Sequence, residues 1–284
     1  MSCSRPLCIF AAVCLATLCL PVAAQTNWIL SRPDRGGAAR AYISATTNAI
    51  SRLPGELRTN IVSAWEFHRA TTDAIYTDYS ATKTDLHQSY GATSQPTFVA
   101  ADGGGCVQFD GVNDFIFTNA IRNDAAGTVA VWVKFRSLGT SQFLWSSGDE
   151  VGINYLIGLA ASTGSKARFY AYSAATLSDL TGGTTLVTNQ WYFLMLTSGG
   201  GTTKIYVDTV PETLSVVAGA NNGAWLDDVA NRDNTVLGCY RRSSNGGFFD
   251  GWMSAVYRMD RVATATEGTN LWNYTCRPYG KARL

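Results

Sequence analysis

Cys106-Val107-Gln108-Phe109-Asp110-Gly111-Val112-Asn113-Asp114-Phe115-Ile116-Phe117 decides how the rest of the chain is read. Val107 and Phe109, then Phe115 and Phe117, alternate with small or polar neighbours around a run of turn residues. That is the period of a half-buried hairpin: a strand, a tight turn and a second strand. The partner of this stretch is expected far downstream, in Phe248-Phe249-Asp250-Gly251-Trp252-Met253 and on through Val256-Tyr257 to Met259. An early strand beside a late one requires a sheet of long sequence separation, as in jelly rolls and other sandwiches.

Working outward, further strands are expected at 63–67, 128–135, 143–145, 155–159, 167–172, 184–187, 191–196, 204–207, 214–217 and 236–240, separated by Gly and Ser clusters. Many short strands with turn signals at close intervals predict an all-β fold, a two-sheet antiparallel jelly-roll β-sandwich with a short, partly helical N-terminal arm. Thr264 to Tyr274 is expected to be a short helix, capped by Thr264 or Thr266 with Glu267 in its first turn.

Five pieces, in order, carry a family resemblance. Ala64-Trp65-Glu66-Phe67 is followed by Phe109-Asp110-Gly111-Val112-Asn113-Asp114-Phe115 and by Val129-Ala130-Val131-Trp132-Val133-Lys134. Asn189-Gln190-Trp191-Tyr192 with Lys204-Ile205-Tyr206-Val207-Asp208 comes next, and Phe249-Asp250-Gly251-Trp252-Met253 to Arg258 closes the series. Over residues 63 to 273 the chain resembles the laminin-G-like or concanavalin A-like lectin-glucanase jelly-roll family. The resemblance implies fold more strongly than function, because this fold carries lectins, adhesion modules and glycan-cleaving enzymes alike.

The domain organisation follows from the termini. Arg5, an apolar run of about 14 residues from Leu7 to Leu20 and the ending Val22-Ala23-Ala24 read as a secretory signal over residues 1–24, too short for a bilayer span. Residues 25–62 form an arm with short helices, 63–277 the jelly roll and 278–284 a tail. Secretion would place the mature chain outside the cell or on its surface, with no membrane span left after cleavage. The arm either packs on the sandwich or reaches a second copy, which would allow self-association.

The chain of 284 residues has a formal charge of +1, which falls to zero once Arg5 is removed, so no charge field points to nucleic acid or to a polyanion. Cys106, Cys239 and Cys276 remain in the mature chain. One disulfide with one cysteine left over, or Cys106 and Cys239 as small buried side chains among apolar strand residues, both fit. Asn273-Tyr274-Thr275 is an N-glycosylation sequon.

Catalytic signatures are missing. There are two histidines, His68 and His87, in no spacing that suits zinc, and neither a G-x-S-x-G elbow nor a phosphate-binding loop is present. The glycan-cleaving relatives carry E-x-D-x-x-E on one strand, and nothing here matches it. No cofactor is required. The resemblance implies a calcium ion, held between the opening strand, a D-x-S-G loop and an acid of the closing strand. Glu66 and Asp85 correspond by position, while the loop reads Thr84-Asp85-Leu86-His87 and Ser254 stands where the acid is expected.

Carbohydrate recognition asks for an aromatic face against the C–H side of a sugar, with polar groups reaching its hydroxyls. Trp225 with Asp227, Tyr240 with Arg242 and Asn245, and Trp145 with Asp149 lie in such loop settings and are the candidate ligand contacts. The expected function is a secreted, non-catalytic binding or adhesion module that recognises extracellular glycan or protein through rim loops. A structural subunit joined through the arm, and a glycoside hydrolase or lyase, are the competing readings.

Overall fold

The computed structural model describes residues 50–67, 77–88, 94–100 and 105–284. The expected signal and most of the arm lie outside them. Two eight-stranded antiparallel sheets make the body. The first runs β13 (Val210–Pro211), β12 (Thr202–Val207), β11 (Trp191–Gly199), β6 (Gly127–Phe135), β18 (Asp250–Met259), β4 (Cys106–Asp110) and β3 (Thr97–Val99), with β1 (Ile61–Glu66) also paired to β18. The second runs β14 (Ser215–Gly219), β10 (Ala175–Thr185), β9 (Lys166–Ser173), β8 (Tyr155–Ala161), β7 (Gln142–Gly148), β15 (Asn234–Leu237), β5 (Ile116–Thr118) and β2 (His87–Gln88). A small hairpin of β16 (Tyr240–Arg241) and β17 (Asn245–Gly246) and two helices, α1 (Gly55–Thr59) and α2 (Ala265–Thr275), complete the elements used below.

The expected pairing of early and late strands is present, since Phe109 lies opposite Gly251 and Val107 opposite Met253. The expected hairpin is not. β4 belongs to the first sheet, whereas β5 pairs with β15 and β2 in the second, so residues 110–115 form a corner between layers. The side chain of Asp110 builds that corner: its Oδ1 accepts the backbone N–H groups of Val112, Asn113 and Asp114 at 2.8, 3.0 and 3.2 Å. An Asx-type reversal needs no ladder between its arms, so the same turn residues serve a corner as well as a hairpin. A true two-residue hairpin joins β11 to β12 instead. Gly199 pairs with Thr202, and Gly200 and Gly201 take φ of 61° and 84°, which a two-residue loop matching strand twist requires.

Asp114, 6% exposed, accepts the N–H of Asp110 at 2.9 Å. Burial first, and then the adjacent Asp110 carboxylate, push its carboxyl up from 3.8 to about 6. The folded chain therefore binds more protons than the unfolded one between those values, and stability falls as pH rises through that window. Asp114→Asn keeps an oxygen for the Asp110 N–H and cannot ionise. We expect it to stabilise the fold by about 2 kcal/mol at pH 7 and by little at pH 4, measured by urea unfolding at both. Equal effects at the two pH values would refute this account.

Alternation along β6 shows how the layers are filled. Val129, Val131 and Val133 enter the core between the sheets, with Leu156, Phe169 and Leu180 of the second sheet in the same cluster. Ala130 and Trp132 point the other way and join a second cluster with Leu271, Trp272 and Tyr279. The outer face of the first sheet is thus closed by the C-terminal segment and by Ile50, Leu53 and Leu57 of the arm. Of the two expected caps of α2 the structure uses Thr264, in a capping box: Thr264 Oγ1 accepts the Glu267 N–H at 3.2 Å, and Glu267 accepts the Thr264 N–H at 2.9 Å. The guanidinium of Arg261 keeps the Glu267 carboxyl down at about 2. Cys106, Cys239 and Cys276 are buried and form no disulfide with one another, which is the second reading for Cys106 and Cys239. Asn273 of the sequon exchanges hydrogen bonds with the backbone of Leu284, at 2.7 and 3.3 Å.

Candidate functional site

The outer face of the second sheet is built differently. In Ala167-Arg168-Phe169-Tyr170-Ala171-Tyr172 the alternation of β9 buries Ala167, Phe169 and Ala171 in the core and leaves Arg168, Tyr170 and Tyr172 half-buried on the other side. Register then gathers polar and aromatic groups around them: Tyr172 lies opposite Tyr155 on β8 and Thr176 on β10, and Tyr170 opposite Asp179.

Tyr155 is the centre of the patch. Its ring stacks on those of Tyr170, Tyr172 and Tyr240, with centroids 5.3, 5.9 and 5.6 Å away and interplanar angles of 28°, 25° and 24°. Phe143 extends the row, 5.2 Å from Tyr240. Arg168 grips Asp179 through two hydrogen bonds of 2.8 and 2.7 Å and lies 5.2 Å from the Tyr170 ring. Arg242 lies over the rings of both Tyr155 and Tyr240, at 4.7 and 4.8 Å. Burial, and then the neighbouring Tyr170, raise the Tyr155 phenol above its ordinary range, so it stays protonated at neutral pH.

The hairpin carrying Tyr240 is fixed along one side of this face. Phe143 N–H donates to Gly247 O at 2.8 Å, Ser243 N–H donates to Gly152 O at 3.2 Å, and Arg241 is paired with Glu150. Gly247, at φ 62°, lies so close that a Cβ there would come within 2.2 Å of the Phe143 ring. The patch therefore combines half-buried tyrosine rings, a resting guanidinium and hydrogen-bonding groups. Two carboxylates at its border are paired with arginine, Asp179 with Arg168 and Glu150 with Arg241. Such a surface can bind a partly apolar, hydroxyl-rich ligand.

Of the residues expected from sequence, Tyr240 and Arg242 are in this patch, and Asn245 is exposed at the hairpin where it pairs with Arg241. The expectation fails for the tryptophans: Trp145 and Trp225 are fully buried and stack on each other, 5.8 Å apart at 11°, so neither shows a face to a ligand. Asp149 is 5% exposed and staples its own loop by accepting the Gly152 N–H at 2.8 Å. Asp227 is exposed on the turn Leu226–Asp228. Tyr155, Arg168, Tyr170, Tyr172 and Asp179 were missed, although the alternation Arg168-x-Tyr170-x-Tyr172 with small or core residues between was their signal.

The calcium pair does not assemble. Glu66 is 1% exposed and accepts from the Ile50 N–H at 2.8 Å and the Tyr257 hydroxyl at 3.0 Å. Asp85, on the surface, accepts the Asp78 N–H at 2.8 Å. Asp78, in the triplet Asp78-Tyr79-Ser80, is the carboxylate that organises this loop: it accepts N–H groups from Ala64, Ser80 and Thr84 at 2.9, 2.8 and 2.8 Å. These oxygens are committed to backbone donors, and among the described residues no group of three or more His, Cys, Asp or Glu is placed to hold a metal ion.

Comparison with known proteins agrees with this architecture. A profile of the concanavalin A-like lectin/glucanases superfamily matches residues 102–267, and the chain belongs to that superfamily. No curated protein matches it by sequence. Among solved structures, domain 4 of AbnA, a GH43 extracellular arabinanase from Geobacillus stearothermophilus in complex with arabinotriose, aligns with a TM-score of 0.55 at 14% identity, covering 75% of this chain and 98% of that one. A Trypanosoma rangeli sialidase in complex with sialic acid aligns with a TM-score of 0.54 at 15% identity over 79% of this chain. This chain spans only 34% of that sialidase. At such identities the likeness is one of fold.

Proposed function

We propose that this protein is an extracellular, non-catalytic glycan-binding module whose ligand lies on the tyrosine patch of the second sheet. The observation that carries the reading is the contrast between the two outer faces. The first is covered over most of its extent by the C-terminal segment and the arm, while the second keeps Tyr155, Tyr170, Tyr172 and Tyr240 half-buried beside Arg168 and Arg242. Aromatic rings with adjacent hydrogen-bonding groups suit the C–H face and hydroxyls of a sugar. The similar AbnA domain was solved with arabinotriose, which supports the same ligand class. An extracellular setting fits the expected secretory signal, and among the described residues no helix is long and apolar enough to cross a membrane. Asp179 and Glu150 at the border of the patch are held in ion pairs with arginine, an arrangement suited to binding and not to the paired acid and nucleophile of glycoside cleavage.

The test is titration of the full chain with a panel of neutral and acidic oligosaccharides, read by calorimetry, alongside a reducing-end assay. Saturable binding without new reducing ends is expected. Turnover would overturn the non-catalytic reading, and absence of binding across the panel would overturn the glycan reading.

A further inference from the structure

We infer that Arg242 makes the patch selective for a carboxylate-bearing sugar. This rests on the glycan reading above and narrows it to a ligand class. The arginines around the patch divide sharply. Arg168 is neutralised by Asp179 and Arg241 by Glu150. Arg242 lies against two tyrosine rings, and its Nε is buried without a hydrogen-bond partner. Among the described residues it makes no ion pair, so no carboxylate answers its charge directly, unlike those of Arg168 and Arg241.

The rings hold the guanidinium plane in place by cation–π contact, which reduces the ordering needed when a ligand arrives. A planar fork with unused N–H donors matches the two oxygens of a carboxylate. The tyrosines around it ask for something an inorganic anion lacks, a C–H face of the same ligand within reach of Tyr170 and Tyr172. A sugar acid offers both in one residue: a carboxylate for Arg242, and ring carbons with hydroxyls for the aromatic row and for the rim of Arg168 and Asp179. A neutral sugar would use the rings and leave the charge of Arg242 unanswered.

Calorimetry of the full chain with oligogalacturonate and with the same oligomer after carboxyl reduction isolates the charge. Sialyllactose against lactose distinguishes a terminal sialate from a chain uronate as the source. We expect at least one acid to bind tenfold or more tighter than its neutral counterpart, with a preference that weakens as salt is raised. Arg242→Gln should remove the preference while leaving weak neutral binding, and Arg242→Lys should restore only part of it, because an ammonium keeps the charge without the fork. Equal binding of acid and neutral forms would overturn the selectivity and leave the glycan reading standing. Loss of all binding to every sugar would instead remove the reading beneath it. Displacement of the acid by equimolar inorganic phosphate or sulfate would show a general anion site and refute the proposal.

Discussion

Replacing Tyr170 and Tyr172 together by alanine is expected to weaken oligosaccharide binding by about a hundredfold, because a well-placed aromatic contact contributes on the order of 1–2 kcal/mol and each 1.4 kcal/mol is tenfold. Both rings stand at alternate positions of β9, both stack on Tyr155, and each touches polar partners: Tyr170 Oη lies 3.3 Å from Thr176 Oγ1, and Tyr172 Oη donates to Ala174 O at 3.2 Å. Their loss leaves Phe169 and Ala171 in the core untouched, so the fold should keep most of its stability, with a cost of about 1–2 kcal/mol. Tyr274→Ala provides the contrast. That ring is 37% exposed on α2, on the covered side of the molecule, and its removal should not alter binding. If the double variant bound as the parent does, the ligand would sit elsewhere. If Tyr274→Ala weakened binding equally, exposed tyrosine in general, and not this patch, would be responsible.

The strands of this fold were legible because their chemistry repeats at short range: Val129-x-Val131-x-Val133, the two-residue turn at Gly200-Gly201 and the capping box at Thr264 each need only neighbouring residues to be read. What failed depended on pairing across the sheets. Asp110 to Asp114 reads equally well as a hairpin or a corner, because local turn chemistry does not say which layer the next strand joins. The misplacement of Trp145 has a similar cause. The pairing of β7 with β8 shifts register on both sides of Trp145, and the resulting irregularity sends Leu144 and Trp145, adjacent in sequence, into the same core. Strict alternation would have put one of them outside. Gly158 leaves room for that ring, since a Cβ there would lie 2.2 Å from it. The tyrosine patch was visible only in fragments: Tyr240 and Arg242 showed through as loop residues, while Tyr155, Tyr170 and Tyr172 joined them only through the β7 to β10 register and the fold of the β16–β17 hairpin.

Trp132 is the ring on which the cover of the first face is centred. Trp132 projects from the middle of β6 to the outer side of the first sheet and is fully buried there. Its ring stacks on Tyr279 at 4.0 Å and 21° and on Trp272 at 5.1 Å and 30°, while Phe193 packs against it at 5.3 Å. Its N–H donates to Thr275 Oγ1 at 2.7 Å, fastening α2 to the sheet. Trp132→Ala removes the ring that both ends of the C-terminal segment rest upon and leaves a cavity under the helix. A loss of about 3–5 kcal/mol is therefore expected in urea unfolding. Trp132→Phe keeps a stacking surface and gives up the hydrogen bond and some area, so about 1–2 kcal/mol is expected. With α2 loosened, Trp272 and Leu271 become accessible, and limited proteolysis should cut first near residues 265–275 while the tyrosine patch keeps its affinity for sugar. A Trp132→Ala protein within 1 kcal/mol of the parent would mean that the helix contributes little to closing that face. Sugar affinity lost together with the helix, in protein that remains folded, would place the ligand on the first sheet and not on the second.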